Sequence, residues 1–234
     1  MLTDVFVPLL TYPDETPVVL AAGLPVFLSR FATSATFCPV EIDVPDLANR
    51  WGGALIALPE MISQVEARSR KLARELEEAT THAGGKLHSS HQMVRAMFGE
   101  VGQTLLPLAR YHDLSLVLIQ SGSEDKAMLA ETLLFGTSRP VLLAPETDLS
   151  GFDLGRVAIA WDGGRCAGRA VFDAMPMLAD ASDVTIITAS DDKRDAGASV
   201  RALFAYLDRH DIVARHVDIP SAGDIGTKIG RAHV

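Results

Sequence analysis

Two short apolar runs constrain this chain more than any other feature. Val5-Phe-Val-Pro-Leu-Leu10 and Val157-Ala-Ile-Ala-Trp161 are almost unbroken in hydrophobicity. That is the pattern of a strand buried on both faces, not of one that alternates against water. Each run leads into turn residues, Thr-Tyr-Pro-Asp in the first case and Asp162-Gly163-Gly164 in the second. A helical stretch follows, Pro17 to Phe31 or Cys166 to Ala179, and then a β-rich run, Ala35 to Ile42 or Val184 to Thr188. The layout strand-turn-helix-strand therefore occurs twice, with Val5 matching Val157 at an offset of 152 and Ala35 matching Val184 at 149.

A later pair extends the match. Gly99-Glu-Val-Gly102 corresponds to Gly223-Asp-Ile-Gly226 at an offset of 124, so the first copy carries about 25 additional residues, assigned to the neighbourhood of Val44 to Met61. After them the spacing predicts a long amphipathic helix, Glu60 to His82, closed by Gly84-Gly85. The first copy continues with a strand in Lys86 to Val94, a helix over Val101 to His112 and a strand at Leu114 to Ile119. A helix over Asp125 to Phe135 and a strand at Pro140 to Ala144 complete it. The second copy adds a helix at Ala196 to His210 and a strand at Val213 to Ile219. Strands alternating with helices imply right-handed βαβ units and a parallel sheet, an α/β fold. The expected division is a first domain over 1–146, a linker over 147–155 and a second domain over 156–227.

Composition narrows the function classes. The chain is 48% hydrophobic and 22% charged, with a mean hydropathy of +0.19, in the globular range. A net charge of −9 with scattered Lys and Arg argues against nucleic acid as a partner. The densest basic group, Arg68 to Arg74, runs directly into Glu75, Glu77 and Glu78, as on a solvated helix face. Two cysteines without a CxxC spacing suggest no disulfide framework, and a reducing cytoplasm is the expected compartment. The apolar run Val18 to Leu28 is too short to span a bilayer, so no membrane partner is expected.

Several residues invite sharper readings. Asp162 at a strand-helix turn can be a ligand contact, or a cap for the helix that follows. His88 and His91 lie three apart on a strand and so face opposite ways, which argues against a metal pair. Ser90, Ser121 and Ser123 lack the setting of an activated nucleophile, and Gly163-Gly164 lacks the context of a dinucleotide loop. Cys38 and Cys166 are expected as small core residues, and Met175 and Met177 as packing.

Arg156-Val-Ala-Ile-Ala-Trp-Asp-Gly-Gly164, Ala170-Val-Phe-Asp-Ala-Met-Pro-Met-Leu178 and Asp183-Val-Thr-Ile-Ile-Thr188 together resemble the universal stress protein family in its tandem-domain bacterial form. The resemblance implies two Rossmann-like, adenine-nucleotide-α-hydrolase-like sheets of strand order 3-2-1-4-5, the second incomplete. It also implies ATP held where that order reverses. On it, Asp162 meets the adenosine part, flanked by Ala160, Trp161 and Gly163, and Thr188 and Ala189 wall the adenine. The family's phosphate loop, G-x-x-G, nine residues, G-[S/T], is absent from the first copy. Leu10 stands at the Asp position there, Gln120-Ser-Gly-Ser-Glu-Asp125 follows strand four, and Gly136-Thr137 lies too near strand five. The implied function is a nucleotide-linked stress-response binding module; the alternative is a ligand-independent scaffold. Pairing through Pro140 to Ala144, within the chain or between two copies, is the implied protein contact. The loop Asp162-Gly-Gly-Arg-Cys166 lacks the serine and second aspartate of related enzymes, so no dedicated catalytic site is expected.

The last residues carry a separate expectation. Ile229-Gly-Arg-Ala-His-Val234 back-translates into a common sequencing adapter, so native sequence is expected to end near Thr227, with 228–234 as a non-native tail. The fourth strand and phosphate loop of the second copy would then be missing.

Overall fold

The computed structural model describes residues 2–45, 58–81, 86–152, 154–189 and 193–219. The Gly84-Gly85 closure, most of the Val44 to Met61 addition and everything from Gly223 onward lie outside the described residues. The chain divides into two compact units, Met1–Gly151 and Phe152–Val234.

In the first unit, β1 (Leu2–Leu9) leads through α1 (Val18–Leu28) to β2 (Ala32–Asp43). Next come α2 (Leu58–Thr81), β3 (His88–His91), β4 (Val94–Met97), α3 (Val101–Ala109), β5 (Leu114–Ile119), α4 (Glu124–Thr137) and β6 (Val141–Pro145). The strands pair in parallel in the order β3-β2-β1-β5-β6, with β4 also on β2. This is the expected order with its third strand in two pieces.

The split has a cause in the neighbouring strand. The Gln92 N–H donates to Phe37 O at 2.9 Å, so the odd-numbered residues in this part of β2 turn their backbone groups toward β3. Pro39 comes next in that alternation and has no N–H to give. Pairing lapses after Phe37↔His91 and resumes at Val40↔Val94 in the same register. Pro8 acts likewise in β1. Asp113 N–H donates to Asp4 O, so even-numbered residues face β5, and the β1–β5 ladder stops at Phe6↔Ser115, just before the proline.

Crossovers in opposite directions put the helices on opposite faces. On one face α1 packs on α2, and α2 turns Ser69, Ala73, Leu76 and Thr80, all buried, toward β2 at helical spacing. On the other, Leu105, Leu106 and Ala109 of α3 and Leu129 and Leu133 of α4 close over Phe6, Val40, Ile42 and Val117.

The second unit has β7 (Arg156–Ala160), α5 (Arg165–Leu178), β8 (Asp183–Ala189), α6 (Lys193–Asp208) and β9 (Ala214–Ile219). Its sheet is parallel, in the order β7-β8-β9. Val171 and Leu178 of α5 and Leu203 and Leu207 of α6 share one cluster with Ile159, Val184 and Ile186. Both helices thus cover the same face.

Candidate functional site

The carboxyl end of β7 is shaped by its turn. Trp161 N–H donates to Ile187 O at 2.8 Å, carrying the pairing one residue past β7 before the chain leaves the sheet. Asp162 Oδ1 then accepts from Gly164 N–H at 2.7 Å. Gly164 is the N-cap of α5 and has no side chain with which to cap, so Asp162 satisfies that end of the helix from two residues back. Gly163 has φ +74°, and a Cβ there would stand 2.6 Å from Ser199 Oγ on α6. Trp161 Nε1 donates to the same Ser199 oxygen at 2.9 Å, so the turn is seated on α6. Asp162 and Ala160 are exposed, and Trp161 is half-buried.

Beside it, Thr188 and Ala189 end β8, in register with Asp218 and Ile219 of β9. Thr188 is buried, and its hydroxyl donates to Asp218 Oδ1 at 2.9 Å. His216 Nε2 lies 2.9 Å from the Thr188 hydroxyl oxygen. A hydroxyl has one proton, so His216 must carry its hydrogen on Nε2 and donate it. Sequence reasoning missed His216 and Asp218. The signal was their spacing of two on a strand, which places both on one face. The six expected residues therefore occupy the carboxyl ends of two adjacent strands.

The corresponding place in the first unit is built differently. Leu10 is buried, and the connection after it closes on itself: Thr16 N–H donates to Leu10 O at 2.8 Å, and Leu10 N–H to Thr16 Oγ1 at 2.9 Å. Gly136-Thr137 belongs to the last turn of α4. Thr137 Oγ1 donates to Leu133 O at 2.6 Å, and Gly136 lies against Leu106. His91 Nε2 is 2.9 Å from Thr80 Oγ1 and its ring stacks on Phe37. Among the described residues, no group of three or more His, Cys, Asp or Glu side chains could hold a metal ion. Cys38 is buried, and burial pushes its thiol up to about 12. Cys166, expected in the core with it, is instead exposed, because the register of α5 turns Val171 and Leu178 inward and leaves this first-turn position outside.

The crystal structure of a universal stress protein from Archaeoglobus fulgidus DSM 4304 is similar to this chain over 96% of its length and 88% of that protein's, with a TM-score of 0.59 and 14% sequence identity. The fold is that of a universal stress protein. No protein-family model matches the chain, and no curated protein matches it in sequence.

Open parallel α/β sheets take ligands outside the carboxyl ends of their strands, and Ala160 to Gly163, Thr188 and Ala189 lie at such ends. Asp162 keeps one carboxylate oxygen without a partner among the described residues, suited to accept from a hydroxyl or amino group. A glycine-rich loop that would take phosphates is not found among the described residues of this unit. No helix among the described residues is long and apolar enough to cross a membrane.

Proposed function

We propose that the second unit is a binding module for adenine nucleotides of the stress-response type, with the adenosine part held at the ends of β7 and β8. The supporting observation is the Asp162 turn, exposed, fixed on α6 and adjacent to Thr188 and Ala189. Asp162 accepts from the nucleoside, and Ala160, Trp161, Gly163, Thr188 and Ala189 shape the wall. On this reading ATP is the full ligand. Titration calorimetry with adenosine tests the nucleoside half. Asp162→Ala should abolish the heat. Asp162→Asn, which keeps an acceptor for Gly164 but loses the charge, should weaken binding about tenfold; no binding by the parent chain ends the proposal.

One observation favours the second reading, a scaffold acting through protein contacts. β6 pairs with β5 alone among the described strands, and its Leu143 is 50% exposed. An open, apolar strand edge recruits another strand. On this reading Pro140 to Ala144 pairs with a second copy or another sheet. Sedimentation of the parent beside Leu143→Lys tests it, and identical association states count against it.

A further inference from the structure

A groove of about 320 Å³ runs between α5 and α6 of the second unit, lined among others by Trp161, Gly168, Phe172, Ala202 and Tyr206. Small residues on both helices hold it open, and a Cβ on Gly168 would meet nothing within 4 Å. Its aromatic walls are fixed. Trp161 spends its indole N–H on Ser199 Oγ at 2.9 Å, and the Tyr206 ring lies edge-on to His210 with ring centres 4.9 Å apart. No charged side chain among the described residues lines it.

The group that fits such a slot stands on its lip. Phe172 is 64% exposed, while its neighbour Val171 and Leu178 one heptad on turn inward. Gly168 and Phe172 are four residues apart and so share one stripe of α5. A knob and a hole on one surface are self-complementary, which is what a two-fold contact between copies requires. When α5 crosses its own copy antiparallel about an axis level with Ala170, Phe172 of each chain comes level with Gly168 of the other. Both slots then fill at once.

The charges agree with the same axis. It sets Asp173 level with Ala167 of the second copy, between that copy's Arg165 and Arg169. Arg165 is exposed and has no ion-pair partner among the described residues of its own chain. Asp173 bonds Arg169 Nε through Oδ2 at 2.7 Å, which leaves Oδ1 open among the described residues. Each copy thus offers a free cation where the other offers a free carboxylate oxygen. A parallel crossing would instead oppose like charges.

We propose that this face is a self-association surface, with Phe172 of one chain seated in the α5–α6 groove of a second copy. Because Phe172 also walls its own groove, the two rings meet across the axis. The surface rests neither on the adenosine reading nor on the open edge of β6.

Sedimentation of the full chain over a concentration series tests it, with Leu143→Lys as background so that pairing at β6 cannot contribute. That background chain should dimerise. Phe172→Ala removes the knob and Gly168→Leu fills the hole, and each should raise the dissociation constant at least tenfold. Mixed in equal amounts, the two should associate more tightly than either alone, since one still brings a Phe172 and the other still offers a slot. Arg165→Glu and added salt should both weaken the dimer. Phe172 and Gly168 face open space, so the far-UV circular dichroism of their variants should match the parent's. A background chain that is monomeric at every concentration, variants that associate unchanged, or a mixture no stronger than its components would each overturn the proposal. So would loss of the circular dichroism signal in Phe172→Ala, which would make Phe172 a structural residue. Uptake of indole by a monomeric parent, blocked by Gly168→Leu, would also overturn it, since the groove would then be a small-molecule site.

Discussion

Lys126 and Glu146 show how little a buried charge says about stability until its partner is known. Both side chains are almost fully enclosed and in contact at 2.7 Å. Removing one partner strands the other, so Lys126→Met should cost about 3–5 kcal/mol in denaturant titration. Replacing both, as Lys126→Met with Glu146→Leu, should return to within about 1 kcal/mol of the parent, because the desolvation penalty leaves with the pair. A double variant as unstable as the single one would mean the pair is net stabilising. His91 gives a pH dependence of definite sign. Burial lowers its pKa from 6.5 against the opposing charge of Glu77. The folded chain therefore prefers the neutral ring, while the unfolded chain takes up a proton near pH 6.5. This contribution is whole above that pH and is lost as pH falls below it. Thermal melts between pH 7.5 and 5 should show it, and His91→Gln should flatten the curve.

At the scale of elements, two helical glycines with the same sequence signal behave oppositely. A Cβ on Gly136 of α4 would stand 2.4 Å from a Leu106 methyl, whereas one on Gly168 of α5 would meet nothing within 4 Å. Gly136→Ala should destabilise by about 1–3 kcal/mol through overpacking between α3 and α4. Gly168→Ala should stabilise by about 0.5–1 kcal/mol through backbone entropy alone. Chemical denaturation of the two variants checks both signs, and the same sign in each would refute the packing account. The third strand makes a related point. Hydrophobic pattern places a strand near Lys86 to Val94, but its division at Gln92 and Met93 is imposed by Pro39, on a strand more than fifty residues earlier. No local pattern in residues 86–97 contains that information.

For the molecule as a whole, the two units differ in how their first strands are held. β1 is flanked by β2 and β5, while β7 has β8 alone among the described strands. Backbone amides of β7 should therefore exchange with solvent faster than those of β1, as read by hydrogen exchange with mass spectrometry. Equal protection would show that β7 is covered from another side. The alternation of apolar runs with helical periods determined the α/β class and the order in which elements occur, because burial on both faces of a parallel sheet demands continuous hydrophobic strands. It also placed Asp162 and Thr188 at strand ends, since turns follow where those runs stop. Only the tertiary structure brought His216 and Asp218 onto Thr188 and Ser199 beneath Trp161, and only it set Asp14 at the start of α4, 109 residues away in sequence. Periodicity reports which face of an element is buried. Which side chains meet is decided by register and crossover, and these exist only once distant strands have paired.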